Sequence, residues 1–229
     1  MKIIVSDFDN TFYTENYEHN IKLINEFVKK GNKFIIATGR PLFTLLPPIE
    51  GYDIKYEYLI CNDGSTIYDK NLRLISAHNL DSDVASRIFD ELKRDSNNTE
   101  IYIETPYKFS TNLNCIPNGL IAKPIDKNIA KTSVERLRKK YPEVFIYLSR
   151  SWINILNANV SKSTAINEVL ELNKWRKEDV ITIGDNNNDI AMNVDFKSYA
   201  VSDGVEELIN ISKYTVSSFE EMLKKESTQ

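Results

Sequence analysis

Four short apolar runs recur along this chain: Ile3-Ile4-Val5, Lys33–Ala37 (KFIIA), Tyr58–Cys61 (YLIC) and residues 180–183 (VITI). Each is followed at once by small or polar residues. Continuous apolar runs of this length suit strands buried on both faces, an environment that a parallel sheet covered by helices provides. Helical spacing lies between them, with Ile21, Ile24, Phe27 and Val28 in residues 21–30, and Ala165, Ile166, Val169, Leu170 and Leu172 further on. Alternating strands and helices predict an α/β fold built on a parallel sheet. The trailing clusters are Asp7-Phe8-Asp9, Thr38-Gly39-Arg40, Asn62-Asp63-Gly64 and Gly184-Asp185-Asn186. In open sheets of this kind ligands sit outside the carboxyl ends of the strands, so these clusters are expected to converge on one site.

The middle of the chain has a different texture. Ser82–Arg94 and residues 128–141 read as helices, separated by strand-like IYIE and GLIA and followed by FIYL and INILN. Turns are expected at Asp95-Ser96-Asn97-Asn98 and Pro117-Asn118-Gly119. The expected organisation is a core of residues 1–79 and 158–229 with an inserted α+β unit at 80–157. A length of 229 residues with 41% hydrophobic content suffices for one good core and a second small one. The net charge of −4 supplies no global basic field, which argues against a nucleic-acid partner. Cys61 and Cys115 have no spacing of a zinc site or a disulfide framework. No apolar run reaches the roughly 18 residues of a membrane span, and the N-terminus enters a strand rather than a cleavable leader. A soluble, unprocessed, cytoplasmic protein is expected, with residues 224–229 as a frayed tail.

Packing accounts for Ile3, Ile4 and Val5, but not for two like charges, Asp7 and Asp9, at the mouth of the strand. Their repulsion costs energy that a bound cation relieves. At i and i+2 in extended backbone both side chains start from one face. One carboxylate can attack phosphorus while its neighbour handles protons. Thr38 offers a hydroxyl, and Gly39 lets the backbone approach a ligand closely. Lys162 begins a predicted helix, where an ammonium opposes the dipole unless an anion is near. In Gly184-Asp185-Asn186-Asn187-Asn188-Asp189, two carboxylates four residues apart can reach one cation directly or through water. Hard oxygen ligands and a phosphate point to Mg²⁺. Singly, each of these is an ordinary turn, helix cap or surface lysine; together and in order they carry weight.

D-x-D-x-T at 7–11, ATGR at 37–40, a lone Lys162 and GDxxND at 184–189 resemble, in this order, the motifs of the haloacid dehalogenase (HAD) superfamily of Mg²⁺-dependent phosphohydrolases. The resemblance implies a Rossmann-like core, Asp7 as nucleophile and Asp9 as acid/base. It also implies phosphate contacts from Thr38, Gly39, Lys162 and Asn188, and metal contacts from Asp7, Asp9, Asp185 and Asp189. Asp9 would meet the metal through its backbone carbonyl. Asn10 stands where that family usually has Gly, and Asn tolerates the left-handed turn. The insertion resembles the α+β cap of the Cof-like, sucrose-phosphatase-like and archaeal phosphoglycolate-phosphatase-like group. Those relatives often carry Asn in place of Asp63, and commonly differ at residues 201–204. The expected reaction is removal of phosphate from a small phosphorylated metabolite, of the sugar phosphate or phosphoglycolate class, through an aspartyl-phosphate. A phosphomutase shares the nucleophile and cap. A phospho-accepting signalling module has no use for Asp9 or the insert, and a D-x-D glycosyltransferase has none for Lys162. Asn112, Asn114, Lys123, Arg150 and Asn154 are the cap residues expected first at substrate. His19 and His78 have no role in this chemistry, and Trp152 and Trp175 are expected to fill packing positions. Oligomeric state does not follow from the sequence.

Overall fold

The computed structural model describes residues 1–227. In chain order the elements are β1 (Ile3–Ser6), α1 (Tyr17–Lys29), β2 (Lys33–Ala37), α2 (Leu42–Ile49), β3 (Tyr58–Cys61), β4 (Thr66–Asp69) and β5 (Leu74–Ala77). There follow α3 (Ser82–Arg94), β6 (Asn98–Glu104), β7 (Phe109–Ser110), β8 (Gly119–Pro124), α4 (Lys127–Lys140), β9 (Val144–Ser149) and β10 (Trp152–Asn157). The chain finishes with α5 (Lys162–Asn173), β11 (Val180–Gly184), α6 (Ile190–Asp195), β12 (Lys197–Val201), α7 (Glu206–Ile211), β13 (Tyr214–Val216) and α8 (Phe219–Ser227).

Eight strands form the core sheet in the order β13-β12-β11-β1-β2-β3-β4-β5. From β13 to β3 neighbours run parallel, with β1 at the centre between β11 and β2. The apolar runs are continuous because alternate residues enter opposite cores. Ile4, Phe34, Ile36, Leu59 and Ile183 pack with Ile24 and Phe27 of α1 and Phe219 and Met222 of α8. Ile3, Val5, Ile35, Ile60 and Val180 pack with Ala165, Ile166 and Val169 of α5 and Met192 of α6. The antiparallel hairpin β4–β5 extends the sheet beyond β3. β5, at the sheet edge, keeps all of its residues at least partly exposed and so writes no continuous buried run into the sequence.

A second, antiparallel sheet, β7-β6-β8-β10-β9, is formed by the inserted segment. One face carries Ile103, Leu120, Ala122, Ile146, Ile153 and Ile155 against Ile88 and Phe89 of α3 and Val134 and Leu137 of α4. Its other face, with Tyr102, Glu104, Tyr147, Trp152 and Asn154, roofs the site described below. The architecture is therefore mixed α/β, a parallel-sheet core with an α+β cap.

The expected frayed tail is corrected over its described part. Lys224 to Ser227 belong to α8, and Glu226 is only 2% exposed. Its carboxylate accepts from Lys2 at 3.2 Å, Tyr199 at 2.6 Å and Lys197 at 2.6 Å, which fastens α8 to β1 and β12. Thr228 and Gln229 of the expected tail lie outside the described residues. Among the described residues no helix is long and apolar enough to cross a membrane.

The turn after β3 meets the start of α5 at Gly64. Its φ is +107°, and a Cβ there would lie 2.3 Å from the Ser161 carbonyl oxygen. Gly64→Ala combines strained backbone with a collision against main chain. It is expected to cost about 2 kcal/mol or more, lowering the thermal midpoint by several degrees. A melting curve that overlays wild type would show that this contact does not constrain the fold.

Candidate active site

The loop after β1 is held by its aromatics. Phe8 and Phe12 are fully buried; Phe8 stacks on Tyr13 at 5.0 Å, and Phe12 packs on Phe34 at 4.9 Å and Phe219 at 5.0 Å. With Phe8 turned into the core, Asp7 and Asp9 line a cavity. The Asp7 N–H donates to the Ile183 carbonyl at 2.9 Å, tying the loop to β11. Asn10 takes the expected left-handed conformation, φ 60°. Its amide and the Thr11 hydroxyl donate to Asp185 at 3.3 and 3.4 Å.

Ser161 caps α5 in a reciprocal pair with Thr164, which makes Lys162 the first helical residue. Its ammonium is completely buried and donates to Asp7 at 2.5 Å and Asp189 at 2.6 Å. The anion that the helix-start position calls for is thus supplied by protein carboxylates. Burial alone favours the neutral amine, but Asp189 and Asp7 outweigh it and hold the Lys162 pKa above its ordinary value. Burial raises the Asp7 carboxyl well above the carboxylate range; Lys162 pulls it down, while Asp189 and Asp185 raise it further. Asp185 is raised too, by burial and then by Asp189. The second oxygen of Asp189 accepts the N–H groups of Asp185 and Asn186, both at 3.0 Å. Gly184 makes room for this, since a Cβ there would lie 2.4 Å from the Asp189 carboxyl carbon.

Carboxylate oxygens of Asp7, Asp185 and Asp189 come within 4.8 Å of one another. Three carboxylates face one ammonium, leaving an excess of negative charge, and every donor is a hard oxygen. This set fits a divalent cation such as Mg²⁺. Asp9 does not join the cluster through its side chain. Arg40 grips its carboxylate bidentately, Nε at 2.7 Å and Nη2 at 2.6 Å. The guanidinium is itself placed by α2. Pro48 has no N–H to give the Thr44 carbonyl, and that oxygen accepts from Arg40 Nη1 at 3.1 Å. Sequence reasoning left Arg40 without a role; two prolines inside a short apolar segment were the available signal.

Thr38 and Gly39 line the same cavity, with the Asn188 side chain beside Gly39. The buried Asp63 carboxylate ties these pieces together. It accepts from Asn188 Nδ2 at 2.8 Å and from the Tyr147 hydroxyl of the cap, and it lies 3.1 Å from where a Gly39 Cβ would be. The clusters at the ends of β1, β2, β3 and β11 do converge. Lys162 and Asp189 differ from the others in being fully buried beneath Asp7 rather than on the cavity wall.

The cavity, about 590 Å³, is closed above by the open face of the cap sheet. Of the expected cap residues, Arg150 and Asn154 line it. Lys123 pairs with Glu100 at 2.9 Å and lies 5.4 Å from the Trp152 ring centroid. Asn112 and Asn114 are exposed and outside the cavity, with Asn112 Oδ1 accepting the Asn114 N–H in their own loop. Trp152, expected in a packing position, lines the cavity, while Trp175 packs edge-on against Tyr58. His78 contacts Glu168 and His19 contacts Glu220, both away from the cavity. Glu104, Tyr102 and Tyr147 were missed. Strand alternation in Glu100-Ile101-Tyr102-Ile103-Glu104 was the available signal, since it puts the polar residues on one face.

Glu104 is 5% exposed, and burial pushes its carboxyl up to about 7, with the nearby Asn62 side chain lowering it and Asp63 raising it. Folded protein therefore binds this proton more tightly than unfolded chain. The associated stability is present below pH 4.5 and is lost as pH rises through about 7. A shift of this size corresponds to on the order of 3 kcal/mol. Urea unfolding at pH 5 and pH 8 should show the stability of Glu104→Gln gaining on wild type by about that amount at the higher pH. A constant difference would mean that Glu104 titrates normally.

The sequence pattern of haloacid dehalogenase-like hydrolases matches residues 4–118 and 117–222. The chain is 29% identical over 203 residues to 5-amino-6-(5-phospho-D-ribitylamino)uracil phosphatase YcsE of Bacillus subtilis, covering 84% of this chain and 80% of that protein. Its fold is similar to that of a HAD/COF-like hydrolase from Plasmodium vivax, with a TM-score of 0.88, 21% identity, and 100% and 96% of the two chains covered. It is also similar to the HAD subclass IIB sugar phosphatase BT4131, with a TM-score of 0.83, 15% identity, and 100% and 98% covered. The acidic loop after β1, the buried lysine and the cap accordingly sit in a chain that belongs to the haloacid dehalogenase-like hydrolase family.

Proposed function

We propose that this enzyme is a phosphoric monoester hydrolase that passes the phosphoryl group of a small metabolite first to Asp7 and then to water. The observation that carries this reading is the buried Lys162 ammonium, clamped between Asp7 and Asp189 beneath the cavity. A carboxylate nucleophile and a phosphate dianion repel each other, and fixed positive charge behind the nucleophile removes that barrier. The core, residues 1–79 and 158–229, carries the transfer, and the cap, residues 80–157, covers the substrate.

In this reading an Asp7 oxygen forms the bond to phosphorus as the ester oxygen departs, and Asp9 gives that oxygen its proton. Asp9, then ionised, takes a proton from the water that attacks the aspartyl-phosphate and frees inorganic phosphate. The Arg40 fork fixes the orientation of the Asp9 carboxyl group for both steps. Thr38, Gly39 and Asn188 hold phosphoryl oxygens, with Lys162 acting from below. Asp7, the Asp9 backbone carbonyl, Asp185 and Asp189 would hold Mg²⁺; when bound, the ion would neutralise charge on the transferring group. The Bacillus subtilis relative is named for a phosphorylated ribitylaminouracil and BT4131 for sugar phosphates, both small phosphorylated metabolites. Sugar phosphates and phosphoglycolate are the classes that the motifs bring forward.

Asp7→Asn is expected to abolish phosphate release, because an amide is a poor nucleophile. Asp9→Asn should lose about 10²- to 10⁴-fold on alkyl phosphates and less on aryl phosphates, whose leaving oxygen needs no proton. Single-turnover kinetics with Mg²⁺ on both ester types reads the difference. Equal losses on the two, or wild-type turnover by Asp7→Asn, would rule out this division of roles.

A further inference from the structure

We propose that the open face of the cap sheet selects phosphate esters whose leaving group carries a flat, N–H-bearing ring, with Tyr102 and Trp152 as the platform and Glu104 as the hydrogen-bonding reader. This narrows the phosphohydrolase reading above and rests on it.

Nothing in the packing of β6 asks for carboxylates. Ile101 and Ile103 alone serve the cap core. Glu100 is accounted for, because Lys123 and the Tyr102 hydroxyl donate to it at 2.9 and 3.1 Å. Glu104 is different. It lines the cavity almost fully buried, and the groups that act on it are the Asn62 side chain and Asp63, with no cation among them. A buried carboxyl in such surroundings is costly until a ligand donor completes its hydrogen bonds. Its pKa of about 7 makes a neutral N–H or O–H donor a better partner than an anion.

Aromatic rings supply the rest. Tyr102 stacks on Phe109 at 5.2 Å, Trp152 lies 6.3 Å from Tyr102, and Phe109 meets Phe43 of the core edge-on at 4.7 Å. This row runs from α2 to the cap, beside the phosphate end of the cavity. Ring faces of this kind suit a planar heterocycle better than a bare two-carbon acid. At about 590 Å³ the space is in the range that holds drug-sized ligands. A glycolate would leave it full of water. Its carboxylate would also meet Glu104, while of the lining arginines Arg40 is committed to Asp9, leaving Arg150 at the tip of the β9–β10 turn.

The test ranks kcat/KM with Mg²⁺ for riboflavin 5′-phosphate, glucose 6-phosphate and phosphoglycolate, with acetyl phosphate as a probe of the transfer chemistry alone. Riboflavin 5′-phosphate is expected to exceed phosphoglycolate by about 100-fold or more. Glu104→Gln should shrink that ratio at least about tenfold, mainly through KM. Free riboflavin should quench the fluorescence of wild type, and Trp152→Phe should lose that quenching. Equal or better use of phosphoglycolate or glucose 6-phosphate, or a ratio untouched by Glu104→Gln, overturns the inference while turnover of acetyl phosphate leaves the hydrolase reading standing. Absence of phosphate release from all four overturns both.

Discussion

The site depends on one ammonium held out of water. Lys162 has no exposed surface and sits between two carboxylates brought to it by different strands, Asp7 after β1 and Asp189 after β11. Removing a partner from a buried ion pair typically costs about 3–5 kcal/mol, because the charge left behind is unpaired. The fold therefore keeps α5, β1 and β11 in fixed relation around this point. Supporting contacts follow from it. Ser161 caps the helix that begins with Lys162, Gly64 lets the β3 turn pass within contact of Ser161, and Gly184 lets Asp189 tuck beneath the end of β11.

The carboxylates crowded here are sorted by their partners. Asp189 spends its oxygens on Lys162 and two backbone amides, and Asp9 spends its own on Arg40. Asp7 and Asp185 are left with the least complete compensation, and both are pushed toward protonation by burial. That is the electrostatic condition under which a hard cation is taken up. Sorting of this kind lets one small volume hold several acids without their being interchangeable.

The cap contributes by having two unlike faces. Its helix-covered side is an ordinary apolar core, and the side over the cavity is aromatic and polar. Asp63 joins that face to the core, through Tyr147 above and Asn188 below. Substitution of this one residue would thus reach both the phosphate side and the leaving-group side of the cavity.

Much of this was legible before any coordinates. The strands Lys33–Ala37 and Tyr58–Cys61 and the helix Ser82–Arg94 stand where their apolar spacing puts them, because burial on one or both faces writes a period directly into the sequence. Asn10 declared its left-handed turn by residue type. Asp7, Thr38 and Asp185 were recognisable since each follows a strand whose end must open on the ligand side of a parallel sheet. The hairpin β4–β5 at the margin of the sheet, and the proline-bearing α2, left too weak a pattern. Glu226 looked like part of a polar tail and is a buried anchor, because its three partners come from residues 2, 197 and 199. The identity of the motifs and the family of the fold are thus properties of local sequence, set by spacing along the chain. Which acid faces Lys162, which faces Arg40, and that Glu104 and Trp152 look into the cavity were decided only by tertiary structure. Each depends on a partner far away in sequence, and no local periodicity records the distance between them.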